Sequence, residues 1–179
     1  MSTGHVMMAI TLDGFVARKD HALDWLMKQK TQDEDHGFEA FLASIDVIVM
    51  GSGSYRTVLG FGAWPYDKPV VVMSNSMARD DIPPELQDKV EITGLAPLAL
   101  MDELHAKGRE RVYVDGGAVV QSFMRLGLVD DLKLAIVPIL IGEGIRLFGD
   151  LTDDIDLKLL DSKAFPSGLV EMRYSVIRP

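Results

Sequence analysis

A chain of 179 residues, 47% hydrophobic and 25% charged, has the size and composition of one globular domain, here residues 1–179, around a single core. Its formal net charge of −9 disfavours nucleic acid as a partner, and its lack of cysteine excludes disulfides and thiolate metal sites. The four histidines show no ligand spacing, so we expect no metal. No apolar run is long enough to span a bilayer and no basic stretch opens the chain, so we expect a soluble cytoplasmic protein.

Apolar runs and turn residues predict that strands and helices alternate through most of the chain. In chain order, the predicted elements are strand 6–11, helix 34–44, strand 47–50, helix 54–59, strand 69–73, strand 90–93, helix 97–106, strand 111–114 and helix 117–126. Alternation of this kind predicts an α/β fold with a mostly parallel sheet and helices on both faces.

The last third of the chain changes character. A long strand is predicted at 131–141, followed by strands 157–164 and 169–177 with no helix between them. The turn Pro166-Ser167-Gly168 joins the last two strands, which predicts a C-terminal antiparallel hairpin.

Small residues follow three of the predicted parallel strands. Ligands of open α/β sheets collect where such strands end, and the free N–H groups of a helix start bind phosphate. The three loops are Gly51-Ser52-Gly53-Ser54, Ser74-Asn75-Ser76 and Asp115-Gly116-Gly117. Each is also explained by an ordinary turn or cap, with Ser54 as a helix N-cap, but the occurrence of all three favours a dinucleotide site.

The first of these loops does not match the Rossmann fingerprint. Arg56 stands where the third glycine belongs, and no acidic residue follows at the ribose position. A dinucleotide must therefore bind in another way.

Five segments taken together resemble dihydrofolate reductase and, more closely, the reductase domain of bacterial riboflavin biosynthesis. They are ITLDGFVA at 10–17, ALDWL at 22–26, VMGSGSY at 49–55, VYVDGG at 112–117 and PILIGEGIRLF at 138–148. The match runs in order from Val6 to Phe148, nearly the whole chain, and it implies the three-layer dihydrofolate-reductase-like fold.

The resemblance also implies an NADPH site. Its expected cofactor-binding residues are Gly51, Ser52, Ser54, Ser74, Asn75, Asp115, Gly116, Gly117, Gly142, Glu143 and Gly144. The last three would close over the cofactor, although a strand-end bulge explains them equally well. In dihydrofolate reductase an arginine that contacts the 2′-phosphate often stands at the position of Ser52, so the choice between NADPH and NADH stays open, with Arg56 or Arg79 as substitutes.

Reduction of a C=N or C=O bond also requires a proton donor, and two carboxylates are candidates. The resemblance places Asp13 near the nicotinamide and Asp24 near the substrate, whereas a turn residue and a helix cap are the alternatives. Burial against Phe15 or Trp25 is expected to raise the pKa of a catalytic carboxyl. Phe15, Trp25, Trp64 and Tyr66 would stack on a flat substrate or form a dimer interface.

These observations favour a stand-alone NAD(P)H-dependent reductase acting on a ribosylaminopyrimidine or a pterin. Two alternatives remain: a non-catalytic nucleotide-binding protein that kept the fold, and a flavodoxin-like protein that binds FMN. The apolar stretch 134–141 suggests a sheet edge that pairs in a symmetric homodimer.

Overall fold

The computed structural model describes residues 1–178 and divides them into ten strands and five helices. The strands are β1 Thr3–Thr11, β2 Phe15–Ala17, β3 Val47–Gly51, β4 Val70–Met73, β5 Val90–Thr93, β6 Arg111–Asp115, β7 Asp131–Val137, β8 Ile145–Arg146, β9 Leu157–Ala164 and β10 Val170–Val176. The helices are α1 Asp24–Met27, α2 Phe38–Ala43, α3 Ser52–Leu59, α4 Pro97–Ala106 and α5 Gly117–Arg125, with short 3₁₀ turns at Arg79–Asp81 and Pro84–Leu86.

Eight strands form one sheet in the order β5-β4-β3-β6-β1-β7-β10-β9. Pairing is parallel from β5 through β7 and antiparallel where β10 joins β7 and β9 joins β10. The predicted mostly parallel sheet with a C-terminal antiparallel hairpin is thereby confirmed. The flavodoxin-like alternative is wrong, because that fold has the strand order 2-1-3-4-5.

Helices cover both faces of this sheet, as predicted. α4 and α5 bury Leu100, Met101 and Phe123 against one face. α3 buries Tyr55 and Val58 against the other, where α2 adds partly buried side chains. The central strand β3 reads Val-Ile-Val-Met and is buried on both faces, which is why its sequence is continuously apolar rather than alternating.

Two predicted elements are too long. The strand expected at 131–141 ends at Val137, because Pro138 has no N–H to donate to a neighbouring strand. The helix expected at 34–44 begins only at Phe38, because Gly37 is left-handed (φ 70°) and the side chains of Glu34 and His36 bond to Ser167 and Glu171.

The stretch 134–141 is also not a sheet edge. β7 lies between β1 and β10 and pairs with both, so it cannot pair with a second copy of the chain. The homodimer edge predicted there is wrong. The free edge on that side of the sheet is β9.

Candidate active site

The sheet opens between its two central strands. β1 and β6 pair only through Thr3–His5 and Arg111–Tyr113, whereas β1 continues to pair with β7 as far as Thr11. Beyond His5 the side of β1 that faces β6 has no strand partner, which leaves a slot between the two strands. The Met7 carbonyl in this slot is bonded by the Tyr113 hydroxyl instead of by a neighbouring strand.

A cleft of about 970 Å³ lies at this slot and along the carboxyl ends of the parallel strands. Of the predicted cofactor residues, it is lined by Gly51, Ser52, Ser54, Asn75, Asp115, Gly116 and Gly117. The volume is at the upper end of the usual range for small-molecule sites and suits an extended ligand.

Two helix starts meet in the middle of the cleft. α3 begins directly after Gly51 and α5 directly after Gly116. Gly116 has φ 90°, and a Cβ there would collide with Ser54 Oγ, so the two starts approach closely only because residue 116 is glycine. Their free N–H groups and positive dipole ends converge on one point, which is a favourable place for a diphosphate.

The prediction that Ser54 caps α3 is wrong. α3 starts two residues earlier than predicted, and Gly51 occupies the N-cap position. The Ser54 side chain instead lines the cleft beside Gly116, where its hydroxyl is available to a ligand.

The far end of the cleft lies where β4 and β5 end. Asn75, Gly94, Leu95 and Pro97 line it, and Asn75 Oδ1 is so close to Gly94 that a Cβ at that glycine would lie 2.9 Å away. An amide beside small and apolar residues suits a flat base with polar edges.

A small two-stranded sheet, absent from the sequence-based prediction, forms the near wall. β2 pairs with β8, and Val16, Ala17 and Ile145 line the cleft. Gly117 packs against this wall, since a Cβ there would lie 2.5 Å from the Arg146 carbonyl oxygen. Its role is therefore to allow close packing of α5 on β8.

Asp115, predicted only as a cofactor residue, is within residues 1–178 the one carboxyl that lines the cleft, and its pKa is raised. Burial raises its pKa from 3.8 to about 6, against the lowering effect of hydrogen bonds from the Tyr113 side chain and the Gly116 backbone. A carboxyl with a pKa of about 6 carries a proton in about a tenth of the molecules at pH 7, far more than an ordinary aspartic acid, and in most molecules below pH 6, so it can act as a general acid.

The Tyr113 hydroxyl connects this acid to the slot. Tyr113 Oη lies 3.0 Å from the Met7 carbonyl oxygen and 3.2 Å from Asp115 Oδ1. A hydroxyl has one hydrogen, so Tyr113 can donate to the Met7 carbonyl or to Asp115 but not fully to both. Donation to Asp115 favours the ionised carboxylate, which is why this contact lowers the pKa of Asp115 against the effect of burial.

Asp13 does not line the cleft. Its carboxylate accepts hydrogen bonds from the backbone N–H of Ile141 (3.1 Å) and Gly142 (2.8 Å), so it joins the β1–β2 turn to the loop after β7. A side-chain hydrogen bond with Thr11 and these backbone bonds lower the pKa of Asp13. The expected raised pKa is therefore wrong.

Asp24 also lies outside the residues that line the cleft. It forms a two-pronged ion pair with Arg18, at 2.6 and 2.8 Å, and its side chain is 59% exposed. The Arg18 guanidinium lowers the pKa of Asp24, again opposite to the expectation.

The other predicted residues that do not line the cleft have structural roles instead. Ser74 accepts backbone hydrogen bonds in its own turn, Glu143 pairs with Lys19 on the surface at 2.5 Å, and Gly144 packs on the Ala17 carbonyl. Gly142, with φ 78°, makes the turn that Asp13 binds. Phe15 lies under Arg146, Trp25 is fully buried in a small apolar cluster, and Trp64 packs between Tyr55 and Tyr66.

His21 and Tyr113 line the cleft and are absent from the predicted site, whereas Tyr66, predicted to stack on a flat substrate, and Arg56, a candidate contact for the 2′-phosphate, line it as well. His21 is the one non-glycine of residues 1–178 with positive φ (68°), and its ring lies against Gly53. No local sequence pattern predicts that His21 lies in the cleft. Arg56 lies one helical turn after Ser52, and this spacing does place both on the same side of α3. Arg79 does not line the cleft.

No helix within residues 1–178 has the length and apolar character needed to cross a membrane.

Comparison with known proteins identifies the family. Residues 3–170 match the model of the RibD C-terminal domain. The chain belongs to the RibD C-terminal domain family. It is 29% identical to the uncharacterized protein YwjB of Bacillus subtilis, across 93% of this chain and 94% of YwjB. It is 30% identical to the riboflavin biosynthesis protein RibD of Corynebacterium ammoniagenes, across 78% of this chain but only 44% of that protein.

Solved structures of this family have the same fold. A protein from Shewanella sp. PV-4, assigned to riboflavin biosynthesis only provisionally, superposes with a TM-score of 0.92 at 34% identity, over 98% of this chain and 99% of that one. RibD of Acinetobacter baumannii superposes at 0.71 with 16% identity, over 99% of this chain and 58% of that one. The predicted riboflavin-reductase-type fold is confirmed.

Proposed function

We propose that this RibD-type domain is a reductase that binds NADPH in the cleft and reduces a C=N or C=O bond of a small heterocycle. The observation that carries the proposal is a carboxyl with a raised pKa, Asp115, beside the point where two helix starts converge at an opened sheet. A phosphate site and a proton donor in one cleft are what a nicotinamide-dependent reduction requires.

Residues of the cleft fit each of the three parts of the cofactor. The starts of α3 and α5, with Ser52 and Ser54, would hold the diphosphate. Asn75 and Gly94 would receive the adenosine end, and the slot between β1 and β6 would receive the nicotinamide. A bound reduced nicotinamide supplies two electrons as hydride.

Asp115 supplies the other half of the reduction. Its neutral carboxyl would transfer a proton to the nitrogen or oxygen of the reducible bond while the adjacent carbon receives hydride, and Asp115 would regain its proton from water. Tyr113 keeps the carboxyl in place through its hydroxyl. Val16 and Ile145 line the same cleft with apolar surface that limits the access of water.

The family supports an aminopyrimidine as the first substrate class to test. A relative from Thermotoga maritima, which superposes with a TM-score of 0.71 at 16% identity, is described as a deaminase and 5-amino-6-(5-phosphoribosylamino)uracil reductase. We therefore propose ribosylaminopyrimidines, followed by dihydropterins, as candidate substrates.

Calorimetric titration with NADPH and NADH tests the first half of the proposal. Ala118 is exposed in the first turn of α5 and lines the cleft, so it allows a clean variant. We expect Ala118→Glu to keep the melting temperature, because an acidic residue suits a helix start, but to weaken NADPH binding at least tenfold by repelling the diphosphate. The isosteric Ala118→Gln is the matched control and should retain most of the affinity.

Loss of NADPH absorbance with aminopyrimidines and dihydropterins tests the second half. A loss of turnover of roughly a hundredfold or more in Asp115→Asn would support the reductase. NADPH binding without turnover of any compound would favour the non-catalytic nucleotide-binding alternative, and no heat with either nucleotide would overturn the proposal altogether.

A further inference from the structure

A second polar group points into the cleft near Asp115. Tyr66 lies in the irregular segment between α3 and β4, lines the cleft, and is only 7% exposed. Within residues 1–178 its hydroxyl forms no hydrogen bond, in contrast to that of Tyr113, which is shared between Met7 and Asp115. The ring is buried, but the hydroxyl is not among the buried polar atoms of residues 1–178 that lack a partner, so it is open to the cleft, where water or a bound ligand can accept its hydrogen bond.

The Tyr66 ring is held rigidly. It packs edge-to-face on Trp64 with ring centroids 5.6 Å apart, and Trp64 packs on the fully buried Tyr55 at 6.0 Å. This row of three aromatic rings anchors the segment onto α3. The hydroxyl is consequently presented to the cleft in a fixed direction, without the entropy cost of ordering a mobile side chain.

The surroundings of Tyr66 keep it a hydrogen-bond donor. Burial, and secondarily the negative charge of Asp115, raise the pKa of Tyr66 well above its ordinary value. Tyr66 is therefore protonated throughout the physiological range. When Asp115 is also protonated, with its hydrogen turned into the cleft rather than towards Tyr113, two donors line the same cleft.

We propose that Tyr66 is a substrate-contacting residue that donates a hydrogen bond to a carbonyl oxygen next to the bond being reduced, while Asp115 protonates the electronegative atom of that bond. This inference rests on the proposed reductase function and narrows its substrate class. The favoured substrate is a ring in which a carbonyl oxygen lies next to a C=N or a second C=O group, so that two acceptors face the two donors. Simple ketones and isolated imines, with one acceptor, should be poor substrates.

The step balances without further reagents. Hydride from reduced nicotinamide forms the new C–H bond, the π electrons of the C=N or C=O bond take the Asp115 proton, and the nicotinamide is oxidised. Tyr66 keeps its proton throughout and contributes only the hydrogen bond.

The test compares Tyr66→Phe with Tyr113→Phe, and each variant removes one hydroxyl. Tyr66→Phe should fold normally, since its hydroxyl bonds to no protein group within residues 1–178. With quinoxalin-2-one, which carries a carbonyl next to a ring C=N bond, we expect Tyr66→Phe to lower kcat/KM roughly tenfold, the usual scale for one lost hydrogen bond. Its Kd for NADP⁺ should stay within about twofold of the unmodified protein.

A second readout needs no turnover. The chain has four tyrosines, so protein labelled with ¹³C at the tyrosine ζ-carbon gives four resonances that single Phe variants assign. On adding quinoxalin-2-one to NADP⁺-saturated protein, the Tyr66 resonance should shift while those of Tyr55 and Tyr174, away from the cleft, stay unchanged.

The proposal for Tyr66 is overturned if its resonance does not respond and Tyr66→Phe keeps full kcat/KM. Equal loss for mono-carbonyl and carbonyl–imine compounds would overturn the two-acceptor specificity. Neither result would contradict the reductase proposal, because that proposal depends separately on NADPH binding and on Asp115.

Discussion

At the scale of single residues, Asp115 determines how the protein responds to pH. Its pKa is raised in the folded state, so the unfolded chain holds the proton less tightly, and the free energy of unfolding should fall as pH rises from about 4 to 6. With about 1.4 kcal/mol per pKa unit, the loss is on the order of 2–3 kcal/mol. Asp115→Asn should remove it, as measured by urea unfolding across that pH range.

Turnover should follow the same titration. In the proposed mechanism the neutral form of Asp115 is the active one, so kcat should decline as pH rises above about 6. Asp115→Asn is expected to lower kcat by roughly a hundredfold or more and to flatten that decline, with NADP⁺ affinity little changed. A wild-type pH profile in the variant would show that the proton comes from elsewhere.

Arg56 is the cleft's candidate for recognising the 2′-phosphate of NADPH. It lines the cleft on α3 and is exposed. Its positive charge could take the place of the arginine that dihydrofolate reductase often has at the position of Ser52. We expect Arg56→Gln to weaken NADPH binding about tenfold and NADH binding little, because only NADPH carries the extra phosphate. Calorimetry with both nucleotides measures the ratio, and Arg79→Gln, outside the cleft lining, serves as control.

At the scale of elements, the carboxylate of Asp13 fastens the β2–β8 wall of the cleft. Its lowered pKa means that the ionised form is stabilised in the fold, so this contribution is present at neutral pH and lost as pH falls below the ordinary value near 4. Asp13→Asn should lower the melting temperature by a few degrees at pH 7 and much less at pH 3. Equal losses at both pH values would show that charge is not involved.

Elements with a strong periodic signal were predictable, and those fixed by distant partners were not. The continuous apolar run of β3 and the Pro97 start of α4 are local features, and both elements lie where they were expected. β2 and β8 are three and two residues long and exist only because they pair with each other. No local pattern marks such short strands.

The candidate site likewise has one part that the sequence predicts and another that it does not. Strand-end glycines and serines mark the proposed diphosphate region, because parallel strands bring their carboxyl ends to one edge of the sheet. Asp13 and Asp24 misled the prediction of the acid, because a motif does not reveal which carboxylate is bonded by backbone N–H groups or by Arg18. The burial that raises the pKa of Asp115 arises from how the chain packs around the end of β6, so only the folded chain shows it.

At the scale of the whole molecule, β9 and β10 lack a covering helix. Every residue of β9 is exposed, including Leu157 (39%) and Leu159 (53%) on the face shared with Val170. The register shift beside Leu160 and the charges of Lys158 and Lys163 disfavour strand-to-strand addition at the edge. We propose instead that a second copy packs against this face.

Sedimentation velocity tests that homodimer. Leu159→Glu should shift the protein towards monomer, because a charge would be buried in an apolar contact. Lys158→Glu, on the opposite face of the same strand, is the matched control and should leave the sedimentation coefficient unchanged. A monomeric wild-type protein would rule the interface out.

The short β1–β6 pairing has a mechanical consequence. Three residue pairs join the four strands β5, β4, β3 and β6 to the four strands β1, β7, β10 and β9, so the backbone connection between the two halves of the sheet is short. A dinucleotide that contacts both halves of the sheet would connect them more firmly. We expect NADP⁺ to slow amide hydrogen exchange at Thr3–His5 and Arg111–Tyr113 more than in the outer strands. The protein without nucleotide would then be more flexible at this junction than the nucleotide-bound protein.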